Sequence, residues 1–225
     1  MKKEISIPEF KKEEEEAAME SVRLIQEEIE KIKSEDIKDF TYQAFGEVNM
    51  KFWTSPSSST GEHHPVEDNG EGGLVRHTIK AVAVLEQYLR RIGATEREID
   101  MGKSAMLLHD TCKNGLDWES DFTDYTHGLI ASKWLEKYYL KDEAAKKEIM
   151  NAVRYHMGQW SVAVSPYVDR LYTKQEMQDN LTELSRAMHP SRIEAAVQEA
   201  DYWASRQSMS FFPGISVNIH HEENK

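Results

Sequence analysis

Along most of the chain, apolar residues recur every three or four positions, which is the spacing of amphipathic helices. No stretch alternates apolar and polar residues for long enough to predict a strand. The pattern therefore predicts an all-α protein whose helices each bury one face. The predicted stripes are Val22, Ile25, Ile29 and Ile32; Val75, Ile79, Val82, Leu85, Leu89 and Ile92; Ile130, Ala131, Trp134 and Tyr138; Ala145, Ile149, Ala152 and Val153; and Ile193, Ala196, Val197, Ala200 and Ala204.

Turn and cap residues set the expected helix ends. Gly93 and Gly158 occupy stop positions, while Thr126 and Asp142 are expected to cap the helices that follow them. Pro190 suits the first position of the last helix, because its fixed φ matches the helix and its missing N–H is not needed there. Other helices are predicted over about Phe10–Ser34, Thr95–Asp110 and Glu176–Met188, and Ile37–Phe45 is predicted to form a short helix or a turn.

Changes in composition divide the chain into four parts. Residues 1–45 are predicted to form an N-terminal helical extension, and residues 74–206 a helical domain. Between them lies a loop, 46–73, whose part from Thr54 to Gly73 is rich in Ser, Gly, Pro and acidic residues; loops of that length are often functional. Residues 207–225 form a C-terminal tail that is expected to be irregular from Phe211 onward.

The charge balance restricts the possible partners. The chain has 28 Lys and Arg against 40 Asp and Glu, a net charge of −12, which repels nucleic-acid backbones. A small phosphorylated substrate is compatible if cations within the site reverse the local sign. The single cysteine, Cys112, excludes an internal disulfide, and no apolar run approaches 18 residues. We therefore expect a soluble cytoplasmic protein with no membrane partner, and the charge argues against a nucleic-acid partner.

Ionisable residues interrupt the apolar stripes of three predicted helices. His127 and His156 each continue a stripe, and Asp201 borders another. A buried ionisable side chain is costly unless it has a partner. Any one of these residues is explained by local hydrogen bonds, but the repeated pattern favours a partner that all three share.

A histidine-aspartate pair and a further histidine extend this set. His109 and Asp110 end an apolar helical run just before a helix-stop signal at residues 114–115, where both side chains can converge on one ion. His77 lies in the first turn of the helix that follows Gly72 and Gly73. A divalent cation is the economical common partner, because it neutralises carboxylates and accepts imidazole nitrogens.

The donor set indicates which metals fit. Four histidines and two aspartates favour Mn, Fe, Zn, Ni or Co over Mg or Ca. Six ligands exceed what one catalytic ion needs and suit two ions that share a carboxylate. His63 and His64 are interpreted as loop residues or substrate contacts, not ligands. The sequence thus predicts one or two divalent ions held by His77, His109, Asp110, His127, His156 and Asp201.

The order of these residues resembles the signature of the HD-domain superfamily of metal-dependent phosphohydrolases. The resemblance is carried by GEHHP…EGGLVRHT, LLHDTCK, YTHGLIAS, VRYHMG and EADYWAS, and it extends over Gly61–Arg206. The first and last of these segments resemble the HD domain of bacterial 3′-to-5′ exoribonucleases and related phosphodiesterases. The resemblance implies an HD-domain helical bundle, here with an added N-terminal helix.

The resemblance also implies how the ligands divide between two ions. Asp110 would bridge to a second ion held by His127 and His156, and a water between the ions would attack phosphorus. Many relatives with two metals have another histidine where this chain has Met157, so a third metal is not expected. The first ion would be held by His77, His109, Asp110 and Asp201.

Basic residues next to these ligands are the expected substrate contacts. Lys113, which follows the histidine-aspartate pair as in many relatives, would contact a phosphate or the leaving oxygen. Arg76 and Arg154 neighbour ligands and would add phosphate contacts. Asp110 and Lys113 are accordingly the predicted catalytic residues.

Several functions remain open at the level of the sequence. The leading hypothesis is a phosphohydrolase that cleaves a phosphomonoester or phosphodiester of a nucleotide-like small substrate. The alternatives are an HD-fold di-iron oxygenase, a 3′-to-5′ exoribonuclease-like phosphodiesterase and a non-catalytic nucleotide-binding module. The narrow apolar stripe of the N-terminal helix is also compatible with homo-oligomer formation.

Overall fold

The computed structural model describes residue 5 and residues 15–61, 64–118, 120–158, 174–206, 208–212 and 215–218. The helices in these ranges are α1 (Glu15–Glu30), α2 (Glu35–Phe45), α3 (Lys51–Thr54), α4 (Gly73–Arg91), α5 (Glu96–Leu108), α6 (His127–Leu135), α7 (Glu143–Arg154), α8 (Lys174–Ala187) and α9 (Arg192–Ala204). A single 3-10 turn, Val66–Asp68, interrupts the loop before α4. None of the described helices is both long and apolar enough to cross a lipid bilayer.

The all-α prediction is confirmed for the helical body, and the tail adds one departure from it. Two short strands, β1 (Ser208–Phe212) and β2 (Ile215–Asn218), pair antiparallel, with Met209 opposite Val217. The expectation of an irregular tail from Phe211 onward is therefore wrong for Phe211, Phe212 and the residues of β2. Strands of four and five residues are too short to produce a recognisable alternation along the sequence.

The first helix packs on its own chain. The predicted stripe of α1 is buried, with Ile25 and Ile29 fully covered, and α1 contacts α2, α3 and α4. Its expected start at Phe10 lies outside the described residues. Oligomer formation through this helix stays a prediction.

Helix α4 lies at the centre of the packing that positions the site. It packs against both α5 and α9, and α5 in turn contacts α7 and α9 while α6 packs on α7. Leu85 and Leu89 of α4 are fully buried, and Gly102 of α5 allows the close approach, since a Cβ there would lie 2.8 Å from a methyl carbon of Leu89. Five helices thus bring their ends or faces to a common region.

The helix ends follow the predicted signals in part. Asp142 caps α7 as expected, since its carboxylate accepts from the backbone N–H groups of Ala144 and Ala145. Thr126 makes no cap with its side chain, because its hydroxyl donates to Asp124 instead. Pro190 also does not begin α9; Ser191 is the N-cap.

The N-terminus of α9 is a capping box. The Ser191 hydroxyl accepts from the backbone N–H of Glu194, whose carboxylate accepts from the backbone N–H of Ser191. This reciprocal pair satisfies two backbone donors that a proline start would leave to water. The serine therefore sets the first helical residue at Arg192, two residues beyond the predicted position.

We expect Ser191→Ala to lower the free energy of unfolding by about 1 kcal/mol, because one end of the helix that carries Asp201 loses its cap. Urea unfolding monitored by circular dichroism measures this change. Ser59→Ala, at an exposed position of the loop before α4, is the control. Equal stability of the two variants would contradict the role assigned to the cap.

Candidate metal centre

The six predicted ligands converge on one region. His77 lies on α4, His127 is the first residue of α6 and Asp201 lies on α9. His109 and Asp110 directly follow α5, and His156 follows α7. The imidazole centroids form a continuous series, with 5.6 Å between His77 and His109, 5.0 Å between His109 and His156, and 4.9 Å between His156 and His127.

Asp201 forms one half of the centre with two histidines. Its Oδ1 lies 2.9 Å from Nε2 of His77 and 3.5 Å from Nε2 of His109. Both imidazoles are buried, whereas 19% of the Asp201 side chain is exposed. The centre is therefore accessible to solvent at Asp201.

Asp110 joins the other histidines and stands between the two halves. Its Oδ1 lies 3.0 Å from Nε2 of His127 and 3.7 Å from Nε2 of His156. Its Oδ2 lies 3.4 Å from Nε2 of His109 and accepts a 2.6 Å hydrogen bond from Lys113. A carboxylate with its two oxygens directed at different histidine groups has the arrangement of a bridging ligand.

Backbone carbonyls orient three of the imidazoles. In each, Nδ1 lies 2.6–2.7 Å from the carbonyl oxygen three residues earlier in the chain. A carbonyl only accepts hydrogen bonds, so Nδ1 carries the proton and Nε2 is directed into the centre as the metal-binding atom. The pairs are His109 with Met106, His127 with Asp124, and His156 with Val153.

This orientation brings Nε2 atoms together without a hydrogen between them. Nε2 of His127 and Nε2 of His156 face each other at 3.0 Å, although both rings already donate through Nδ1. Nε2 of His109 is also buried, and its nearest carboxylate oxygens, Oδ2 of Asp110 and Oδ1 of Asp201, lie at the long distances of 3.4 and 3.5 Å. Lone pairs that face one another in a buried site need a cation between or beside them, so the residues present fit a divalent metal.

The pKa values of these groups follow from burial opposed by their neighbours. Burial acts to lower the pKa of His109, but Asp110 and Asp201 outweigh it and raise that pKa to about 10. Burial, reinforced by His127 and His109, lowers the pKa of His156 to about 3. A protonated His109 and a neutral His156 are therefore expected in the metal-free protein, with a proton where a metal ion would bind.

Both carboxylates remain ionised despite their environment. Burial acts to raise the pKa of Asp110, but Lys113 and His109 hold it well below its usual range. Burial likewise opposes ionisation of Asp201, and hydrogen bonds with His109 and His77 lower its pKa well below the usual range. Anionic carboxylates and neutral imidazoles are the forms that coordinate metals.

Of the three basic residues predicted to contact the substrate, Lys113 lies in the centre, and the two arginines have other partners. Lys113 lies in the centre, where it binds Asp110. Arg76 donates to the backbone carbonyls of Glu67 and Glu71 and so holds the loop before α4. Arg154 forms a 2.6 Å ion pair with Glu183 of α8. The phosphate contacts proposed for the two arginines stay predictions.

Two further residues adjoin the centre that the sequence analysis did not include among the ligands. The ring of His64 lies 4.9 Å from that of His77, and Asp68 is fully buried nearby. Burial, with His77 and Lys113, lowers the pKa of His64 to about 3. Both residues belong to the loop before α4, which has no periodicity to reveal its inward side chains; His63 lies outside the described residues.

A cavity of about 450 Å³ opens beside His156 and Asp201. Tyr202 and Arg206 contribute to its lining, with the guanidinium carbon of Arg206 4.1 Å from the centroid of the Tyr202 ring. Half of the Tyr202 side chain is exposed. The cavity thus offers an aromatic face and a cation next to the buried ligands.

No protein-family model matches this sequence, and no curated protein or solved structure matches it either.

Proposed function

We propose that the protein is a metal-dependent phosphohydrolase that cleaves a phosphomonoester or phosphodiester of a nucleotide-like small substrate. The observation that carries the proposal is the arrangement around Asp110. Its oxygens are directed at separate histidine groups, and the inward nitrogens of His127 and His156 lie 3.0 Å apart with no proton of their own to share. Such a set of groups supports the proposal of cations in two neighbouring positions.

The ligands divide between these positions. Asp110, His127 and His156 would hold one ion. The other ion would be held by His77, His109, Asp110 and Asp201. Nitrogen and oxygen donors in this mixture suit Mn, Fe, Zn, Ni or Co. When bound, such ions lower the pKa of a coordinated water to near neutrality and neutralise charge on phosphoryl oxygens.

The charge of the centre favours a phosphate ester as the substrate. Two carboxylates offset only half of the charge of two divalent cations, and Lys113 adds another positive charge within the centre. With both ions bound, the local sign would therefore be positive although the whole chain has a net charge of −12. An anionic group of small size gains most from such a site, since a long polyanion also meets the negative surface around it.

The surrounding residues supply contacts for a nucleotide-like molecule. The ammonium group of Lys113 donates a hydrogen bond to Asp110 inside the centre. From the same position it can donate a further hydrogen bond to a phosphoryl oxygen of the substrate. The cavity of about 450 Å³ is within the range of small-molecule sites. The exposed face of Tyr202 suits stacking with a base.

The proposal is tested by combining metal analysis with assays of the purified protein. The substrates are p-nitrophenyl phosphate, bis-p-nitrophenyl phosphate and a set of mono-, di- and cyclic nucleotides, each with one divalent metal at a time. We expect metal-dependent release of nitrophenol or phosphate in the absence of oxygen. Strictly oxygen-dependent turnover with no ester cleaved would favour an oxygenase, and preferential degradation of oligoribonucleotides would favour an exoribonuclease.

We expect His156→Ala to lose one bound metal ion per chain and to retain the other, because His156 belongs only to the position that His127 and Asp110 share. Elemental analysis after dialysis against a fixed free-metal concentration measures the change. His189→Ala, which removes an exposed imidazole on the same chain, is the matched control. An undiminished metal content in His156→Ala would exclude the two-ion arrangement.

A further inference from the structure

We propose that His64, Asp68 and His77 bind an additional divalent transition-metal ion, in a position that adjoins the main centre and shares His77 with it. The proposal goes beyond the phosphohydrolase function, because it concerns two residues outside the six ligands. It also differs from the sequence expectation of no third metal, which rested on Met157 and not on the loop before α4.

The three side chains form a compact donor group. One ligand atom from each of His64, Asp68 and His77 lies within 4.8 Å of the other two. His77 belongs to a second such group with His109 and Asp201, and it is the only residue that the two groups have in common. The loop residues therefore define a separate position next to the main centre.

His77 differs from the other three histidines of the centre at Nδ1. In those three residues Nδ1 is bound to a backbone carbonyl. In His77, Nε2 lies 2.9 Å from Asp201, and the buried Nδ1 has no hydrogen-bond partner among the described residues. A buried ring nitrogen without a partner is unfavourable, and a cation held by His64 and Asp68 would supply that partner once the Nδ1 proton has left to solvent. With Nε2 also bound to an ion of the main centre, His77 would bridge the two ions as an imidazolate.

Asp68 is also incompletely compensated. The residue is fully buried, and the ammonium group of Lys80 lies 2.7 Å from its Oδ2. Lys80 is divided between Asp68 and the neighbouring Glu67, which it contacts at 3.2 Å, and Oδ1 of Asp68 makes no hydrogen bond within the described residues. A buried carboxylate in this situation gains strongly from a second cation.

The backbone around Asp68 is firmly held. Ser57 donates to the Asp68 carbonyl from both its N–H and its hydroxyl group. Gly73 packs directly on the same carbonyl, where a Cβ would lie 1.9 Å from the oxygen. Arg76 binds the carbonyl of Glu67 through two nitrogens. The carboxylate is thus presented from a fixed backbone, which is the preorganisation that a metal site requires.

The test compares Asp68→Asn and His64→Gln with Glu67→Gln. The last variant removes a neighbouring carboxylate that also contacts Lys80 but does not belong to the donor group. Each protein is dialysed against a series of free Zn²⁺ and, separately, Mn²⁺ concentrations, and bound metal is counted per chain. We expect Asp68→Asn and His64→Gln to bind one ion fewer than the unmodified protein, or to bind it about 10–100-fold more weakly. Glu67→Gln should retain the full number.

The outcomes separate this proposal from the main centre. If His64→Gln is folded by circular dichroism and keeps the full number of ions at unchanged affinity, the additional position does not exist. The same conclusion follows for Asp68→Asn if it is folded. Because His64 is only partly buried in a loop, its variant keeps the test decisive if Asp68→Asn does not fold. Loss of one ion in these variants together with the separate loss in His156→Ala supports both centres, and failure of the esterase assay affects only the proposed function.

Discussion

Asp110→Asn is expected to reduce metal-dependent ester hydrolysis by about 10³-fold or more and to lower the protein's stability. The side chain is 3% exposed, and its oxygens meet Lys113, His109 and His127. Removing the charge leaves these cationic or metal-binding groups facing one another without an anion. Loss of one partner from a buried charge network costs about 3–5 kcal/mol, so unfolding should occur at clearly lower denaturant concentration.

Steady-state hydrolysis of bis-p-nitrophenyl phosphate and urea unfolding of the metal-free protein measure the two effects of Asp110→Asn separately. Asp121→Asn is the matched control, because it removes an exposed carboxylate from the loop between α5 and α6. Activity of Asp110→Asn within a few-fold of the control would rule out a bridging role. Unchanged stability with lost activity would show that the buried network is not an important source of folding free energy.

Gly128→Ala is expected to separate His127 from His156 without removing either residue. A Cβ at this position would lie 2.7 Å from the carbonyl oxygen of Arg154, 3.0 Å from that of Val153 and 3.2 Å from Nδ1 of His156. Backbone atoms cannot move aside locally, so α6 must shift away from the end of α7. We expect a loss of about 1–3 kcal/mol in stability and a second metal ion that binds about 10–100-fold more weakly.

Metal titration followed by elemental analysis, together with thermal unfolding, tests the Gly128→Ala prediction. Gly46→Ala is the control, since a Cβ there meets its nearest atom at an ordinary 3.5 Å. Wild-type affinity for both ions in Gly128→Ala would mean that the contact between α6 and α7 does not set the spacing of the two imidazoles.

The helical pattern and the six residues that converge on the centre could be predicted because the pattern around each of them is local in sequence. The periodic burial of Ile25, Ile29, Ile193 and Val197 follows from side chains repeating on one face of a helix. A histidine that continues such a stripe is recognisable in the same way, since it occupies a position where apolar residues are expected.

The contributions of the loop before α4 could not be predicted in this way. Asp68 is buried by the contacts of its backbone with Ser57 and Gly73, which are distant from any periodic stripe. The partners of Arg76 and Arg154 also cannot be predicted from the sequence, because ion pairs and contacts with carbonyl groups depend on how separate elements of the fold pack together. Adjacency to a ligand in the sequence does not determine where a long side chain points.

The carbonyl contacts of His109, His127 and His156 have a consequence for redesign of the centre. Each ring is oriented by a hydrogen bond from Nδ1 to the backbone carbonyl three residues earlier, so its orientation is a local property. The distances between the rings depend instead on how the helices pack. The side chain of a cysteine, aspartate or glutamate introduced at these positions carries no N–H group with which to make that bond. Replacing one of these histidines by another donor would therefore also remove the hydrogen bond that orients the side chain. A change of metal preference is best sought at Asp201, whose orientation depends on its contacts with His77 and His109.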